Sequence, residues 1–163
     1  MGDDSRPLAV VDIDGVLADV GHRLEHLDRR PKDWDRFFDA ARHDPPHHQG
    51  LALVAELVAG GHQLVLLTGR PERCRADTEA WLREQGVDHE LLVMRPRRDR
   101  RPAAEVKVAQ LEVLARGRVV AVVVDDDQRV IEAMDGAGYP TRLAGWGRPS
   151  EPLRQAQEVE GRT

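Results

Sequence analysis

Leu8-Ala9-Val10-Val11-Asp12-Ile13-Asp14-Gly15-Val16-Leu17 is an apolar run that ends abruptly in two carboxylates and a glycine. Apolar residues in unbroken succession predict a strand covered on both faces, because a strand with one wet face alternates apolar with polar. Three further runs have the same character, Gln63 to Thr68, Leu91 to Met94 and Val119 to Val124, and a weaker one spans Tyr139 to Leu143. Between them lie helix-patterned segments: Leu51 to Ala59, closed by Gly60-Gly61; Pro71 to Gln85, closed by Gly86; Ala103 to Arg116, closed by Gly117; and Gln128 to Asp135, running into Gly136. Proline at the first turn and glycine just past the last are boundary signals. The alternation predicts an α/β fold, a three-layer α/β/α sandwich around a central parallel sheet. The stretch from Ala18 to Gly50 breaks the rhythm with charge, Trp34, Phe37-Phe38 and the turn-rich His43-Asp44-Pro45-Pro46-His47-His48. It reads as a small helical cap inserted after the first strand, with a short helix over Asp33 to Ala41. Residues 1–149 then form a single domain, and the polar tail from Ser150 to Thr163 is expected to fray.

A chain of 163 residues suffices for one sizeable core. It has 40% apolar and 33% charged residues, and no apolar run approaches the roughly 18 residues of a membrane span. The acidic N-terminus, Met1-Gly2-Asp3-Asp4-Ser5-Arg6, does not read as a signal peptide, so a cytoplasmic protein is expected. A net charge of -5 excludes a protein that coats nucleic acid through overall cationic charge. Only two of the 24 basic residues are lysines, Lys32 and Lys107. The lone cysteine, Cys74, has no disulfide partner and reads as structural or neutral.

In an open parallel sheet, ligands gather beyond the carboxyl ends of the strands. Asp12 and Asp14, leaving a buried strand together, repel each other unless protonated or held by a cation, and a divalent metal is the economical answer. Asp12 could then be nucleophile and ligand, with Asp14 moving a proton; a polar turn in which aspartate caps local backbone is the alternative. Thr68-Gly69-Arg70 offers a hydroxyl, backbone amides and a guanidinium to a phosphate, or Thr68 simply caps a helix begun by Pro71. Lys107 could reach a phosphate from its helix, or snorkel at the surface. Asp125-Asp126-Asp127, after a long apolar run, would complete an oxygen-rich Mg²⁺ site, or form a solvated acidic loop.

The order of these elements, Asp-x-Asp, Thr, Lys, paired Asp, resembles that of the haloacid dehalogenase superfamily from Leu8 to about Trp146. Within it the sequence is similar to the 3'-phosphatase domain of bacteriophage polynucleotide kinase. The shared features are Asp12-Ile-Asp14-Gly15 followed by Arg23, Thr68-Gly69-Arg70, Trp81-Leu82, Met94-Arg95, Asp99-x-Arg101 before Val106-Lys107, and Asp125-Asp126 followed by Val130-x-Glu132. The resemblance implies a Rossmann-like core and Mg²⁺-dependent hydrolysis of a phosphomonoester through an aspartyl-phosphate. The substrate it implies is a DNA or RNA 3' end, with a separate kinase or ligase as a candidate partner. It assigns catalysis to Asp12, Asp14, Thr68 and Lys107, metal to Asp12, Asp14, Asp125 and Asp126, and substrate to Arg23, Gly69, Arg70 and Arg101. Two positions depart from the pattern: Ala103 or Ala104 stands where an acidic residue is expected, and Asp127 where an arginine is.

Arg95, Arg97, Arg98, Arg100 and Arg101 crowd one segment, as a nucleic-acid contact or a solvated loop. The chain contains no Gly-x-x-x-x-Gly-Lys-Ser/Thr loop, so kinase activity is not expected of it. A nucleotidase or small-molecule phosphatase of the same superfamily is the nearest rival reading. A phosphoacceptor signalling domain is more remote, because its acceptor aspartate would stand at the third strand, whereas here the third run ends Met94-Arg95 and the paired acids follow Lys107. His43, His47 and His48 read as a solvated turn rather than a metal site.

Overall fold

A computed structural model describes residues 5–147 and 151–163. Five parallel strands, β1 (Leu8–Val11), β2 (Gln63–Pro71), β3 (Leu91–Arg95), β4 (Val120–Asp125) and β5 (Thr141–Leu143), form one sheet in the order β3-β2-β1-β4-β5. The apolar runs are unbroken because both faces of the sheet are covered. Val11, Leu64, Leu66 and Val124 join a core on one side with Leu53, Val54, Trp81 and Leu82. Leu8, Val10, Val65, Leu67 and Val123 join one on the other side with Leu111, Val130 and Met134. Helices α2 (His48–Ala59) and α3 (Arg75–Glu84) supply the first set, while α4 (Ala103–Leu114) and α5 (Gln128–Gly136) supply the second. The three-layer α/β/α sandwich is as expected.

The insertion carries a 3-10 turn over Gly21–His26, the helix α1 (Trp34–Asp39), and a second 3-10 turn over Ala40–His43. Asp33 caps α1 by accepting from the Arg36 amide at 3.0 Å. Phe37 and Phe38 are buried and pack with Trp34 through ring centroids 5.3 to 6.1 Å apart, which fastens the insertion to the core.

Two boundaries differ from the sequence reading. Pro71 does not open a helix: its ψ of 152° is extended and it pairs with Arg95 at the end of β2, so a 3-10 turn over Glu72–Cys74 precedes α3. The register between β2 and β3 slips between Leu67 and Pro71, which bulges Thr68-Gly69-Arg70 out of regular pairing. The tail expected to fray instead forms α6 (Glu151–Glu158); Ser150 itself lies outside the described residues. Leu153 and Ala156 are buried in the first core, Glu158 pairs with Arg129, and Glu160 pairs with Lys32. So short an apolar stripe, at i and i+3, is hard to distinguish from a polar coil in sequence.

If α6 is an integral element, Leu153→Ala should cost about 2–4 kcal/mol in urea unfolding. A loss below about 0.5 kcal/mol would mean the segment is not docked in solution.

Candidate active site

The acids meet because of the strand register. Val11 pairs with Val124, so the next residues, Asp12 and Asp125, leave neighbouring strands side by side, and the Asp12 amide donates to the Val124 carbonyl at 2.9 Å. Asp126 follows, and carboxylate oxygens of Asp12, Asp125 and Asp126 all lie within 4.8 Å of one another. A Cβ on Gly15 would stand 1.9 Å from Asp126 Oδ2, and Gly15 has φ +80°. Glycine at this position is therefore what lets Asp126 close in.

Lys107 reaches the group from α4. Its Nζ is 2.6 Å from Asp125 Oδ2 and 3.2 Å from Asp12 Oδ2, with all three residues buried. Burial alone would weaken Lys107's hold on its proton, but Asp12 and Asp125 outweigh it and raise the pKa. One ammonium does not neutralise three carboxylates. Burial, then the Asp125 charge, push Asp12 well above the usual carboxylate range and Asp126 up to about 8. Asp126 Oδ1 is also buried without a hydrogen-bond partner. An orphan oxygen inside an under-compensated acidic triad is a donor set that suits a hard divalent cation.

Asp14 is treated differently. Its Oδ1 accepts from Arg23 Nη2 at 2.9 Å and from Arg70 Nε and Nη2 at 2.9 and 2.7 Å. Burial pushes its pKa up, yet Arg70 and Arg23 outweigh burial and bring it down to about 2. Asp44 closes the network from the insertion. It accepts from Arg23 Nε and Nη2 at 2.9 Å each, Arg70 Nη2 at 2.8 Å and His22 Nε2 at 2.7 Å. Trp81 Nε1 donates to its carbonyl at 2.8 Å. Asp14 Oδ2 is left buried and unpartnered. Two carboxylates and two guanidiniums thus form a charge-balanced cluster.

Thr68 is buried, and its Oγ1 accepts from the Arg70 amide at 3.2 Å inside the bulge of β2, so it caps no helix. Gly69 is crowded by the C-terminal segment: a Cβ there would meet the Thr163 carbonyl carbon at 2.2 Å. Arg23 and Arg70, assigned to substrate by the resemblance, are buried with their guanidiniums on Asp14 and Asp44. Arg101 is exposed and forms a two-pronged pair with Asp99, while Arg95 is buried against the carbonyls of Arg101 and Thr163. Asp127 caps α5 by accepting from the Arg129 amide at 2.9 Å. His43, His47 and His48 belong to no metal-ligating cluster among the described residues. Cys74 is buried and its thiol pKa is raised, first by burial. Sequence reading missed Asp44. It lies in the His- and Pro-rich turn with no neighbouring motif, and only its contacts reveal it.

Residues 7–141 match the family described as the polynucleotide kinase PNKP phosphatase domain. The chain belongs to that family. It is a phosphatase of the haloacid dehalogenase superfamily. No curated protein matches the chain in sequence. A chain of the Pnkp1/Rnl/Hen1 RNA repair complex is similar in fold, at TM-score 0.75 and 21% identity, over 91% of this chain and 45% of that one. This phosphatase therefore spans less than half the length of that relative. The class C acid phosphatase from Bacillus anthracis matches at TM-score 0.64 and 12% identity, over 87% of this chain and 67% of that one. The haloacid dehalogenase-like hydrolase SP0104 from Streptococcus pneumoniae matches at TM-score 0.59 and 11% identity, over 94% and 92% of the two chains. No helix among the described residues of the phosphatase is long and apolar enough to cross a membrane.

The triad sets a pH dependence. Asp126 binds its proton more tightly folded, at about 8, than at the ordinary 3.8. Its contribution to stability is present in acid and is lost as pH rises toward 8. With cations chelated, the melting temperature should fall between pH 5 and pH 8, and adding Mg²⁺ at pH 8 should restore it. Asp126→Asn should make that fall shallower, leaving the share due to Asp12, whose pKa is also raised; an equally steep fall in the variant would remove Asp126 as a source.

Proposed function

We propose that the chain is a Mg²⁺-dependent phosphatase that removes 3'-phosphates from polynucleotide ends through an aspartyl-phosphate on Asp12. The chemistry rests chiefly on one observation: Asp12 stands buried between Lys107 and Asp125, beside a second aspartate whose ionisation is governed separately. The family match and the fold shared with a chain of an RNA repair complex support the polynucleotide end as substrate. That relative belongs to a complex with Rnl and Hen1, and a separate repair enzyme is the corresponding partner proposed for this chain.

Asp12, Asp125 and Asp126 would hold the cation, with the Asp14 backbone carbonyl. When bound, the cation would offset repulsion between an anionic nucleophile and an anionic phosphate. Lys107 orients the Asp12 carboxylate and stabilises charge on the transferring oxygens, alongside Thr68 and the Gly69 amide. Asp12 attacks phosphorus and the bond to the leaving oxygen breaks. That oxygen takes a proton from Asp14 Oδ2, the oxygen free of the arginines. Water then attacks phosphorus, gives a proton to Asp14 and frees the Asp12 carboxylate and inorganic phosphate.

Asp14 is ionised at neutral pH, so the proton it first delivers must be supplied. A phosphomonoester still carrying one proton brings it, and that form is depleted above about pH 6, near the second phosphate pKa. Activity on a phosphomonoester should accordingly fall as pH rises beyond that value; a rate still climbing between pH 6 and pH 9 would contradict this proton route. Asp12→Asn should lower turnover on the order of 10⁴-fold or more with the fold intact by circular dichroism. A near-normal rate would exclude Asp12 as nucleophile. The substrate itself is tested by comparing a 3'-phosphorylated oligonucleotide, a 5'-phosphorylated one and free nucleotides, with and without Mg²⁺. Higher kcat/KM on the 3'-phosphorylated oligonucleotide is expected, and equal or better activity on mononucleotides would favour a nucleotidase.

A further inference from the structure

Positive charge gathers a second time just beyond the end of β2. Arg73, Arg97, Arg100 and Arg162 converge with Trp34 and Asp35 around an open pocket of about 170 Å³. Arg73 lies three residues past Arg70, so the pocket adjoins the bulged Thr68-Gly69-Arg70 loop. The arginines come from separate parts of the chain, and one glycine brings two of those parts together. A Cβ on Gly161, at φ +57°, would stand 2.0 Å from the Arg100 carbonyl oxygen. Glycine therefore lets the C-terminal segment press against the 96–100 loop and carry Arg162 into place, its guanidinium 5.4 Å from the Trp34 ring centroid.

The charges in the pocket are unbalanced. Of its four guanidiniums, that of Arg73 is paired with Asp35 at 3.1 Å and with Asp39 at 3.5 Å, which leaves the other three. The Arg100 side chain donates to the carbonyls of Arg97 and Asp99, and the Arg162 guanidinium lies over Trp34. Among the described residues, Arg97, Arg100 and Arg162 have no carboxylate partner. Their neighbours differ: Arg101 is taken by Asp99, and Arg95 is buried on backbone carbonyls. An arginine-rich composition explains many surface arginines, but not a convergence of unpaired ones beside a phosphatase site. Guanidinium forks match phosphate oxygens, while the half-buried Trp34 ring, stacked on Phe38 and covered by Arg162, holds the Arg162 guanidinium in place.

We propose that this pocket is a subsite for an internal phosphodiester of a single-stranded polynucleotide, held mainly by Arg97, Arg100 and Arg162, next to where the terminal phosphate reacts. The inference rests on the polynucleotide reading above and deepens it, by assigning substrate length selectivity to residues outside the catalytic group. It also gives the C-terminal segment a share in substrate binding.

The test separates this subsite from that reading. Fluorescence anisotropy is measured on a labelled single-stranded DNA oligonucleotide ending in a 3'-hydroxyl, so that no terminal phosphate contributes. Arg97 and Arg100 are exposed, so the double variant R97A/R100A should keep the fold, checked by its melting temperature. Its Kd should rise about tenfold, and its slope against log salt should shrink by about one to two. On a 3'-phosphorylated oligonucleotide its loss of kcat/KM should exceed its loss on p-nitrophenyl phosphate by a similar factor. Equal oligonucleotide affinity of variant and wild type would overturn the subsite, whatever the substrate panel shows. A wild-type enzyme that prefers mononucleotides would overturn the polynucleotide reading, whatever the binding shows.

Discussion

Asp12 and Asp125 are forced together by the pairing of Val11 with Val124, and their repulsion in a buried setting is the constraint on which the site depends. Separating them would require a different register, which would turn the apolar side chains of β1 or β4 to the wrong faces. The repulsion is therefore managed locally. Lys107 reaches both carboxylates from α4, and Gly15 clears space for Asp126, which adds donor oxygens at the expense of still more negative charge. A protein selected only for stability would not bring a third, half-buried acid there. The excess is understandable if the triad's lowest-energy form includes a cation, and if an anionic substrate is drawn to that cation.

The aspartate two positions on is handled by the opposite device. Asp14 sits in a closed group with Arg23, Arg70 and Asp44, where each charge has a partner of opposite sign. Such a cluster adds little net stability over an apolar one, but losing any member strands the others in the interior. Its value is geometric. Three donors fix Asp14 Oδ1, so Oδ2 has one available orientation for proton transfer. Two neighbouring carboxylates thus acquire different affinities for protons: Asp12 holds one tightly and the clamped Asp14 loosely.

Much of this was legible in the sequence wherever a strand dictated it. The runs around Leu8, Leu64 and Val119 give the sheet, and the polar residues following each give Asp12, Asp14, Thr68, Asp125 and Asp126, because strand exits in a parallel sheet face one edge. Lys107 required the order of motifs, since a single helical lysine carries no signal of its own. Asp44 was not legible: its role arises from contacts with Arg23 and Arg70, 21 and 26 residues away in sequence, and its local context resembles any solvated turn. Helix α6 escaped notice because two buried side chains, Leu153 and Ala156, make too short a stripe. Pro71 misled because proline suits both a helix start and the end of an edge-paired segment, and only its pairing with Arg95 distinguishes them.

The arginine clamp also limits what can hold the substrate. Arg70 directs Nε and Nη2 to Asp14, Nη2 also to Asp44, and Nη1 to Thr78 Oγ1 at 3.3 Å, while Arg23 directs Nε and Nη2 to Asp44 and Asp14. With these guanidiniums committed and buried, their part in the proposed reaction would be exerted through Asp14. In the proposed reaction, direct attraction for a phosphate would come from Lys107, from the Gly69 amide and from a cation among the acids. None of these sources extends past the reacting group. Any preference for a long polyanion over a small ester would then be expressed by arginines outside the clamp, and three without a carboxylate partner among the described residues, Arg97, Arg100 and Arg162, gather along the rim formed by the insertion, the 96–100 loop and the C-terminal segment. Chemistry and selectivity would then be carried by physically separate sets of charges, the first fixed by the sheet and the second by the segments laid over its edge.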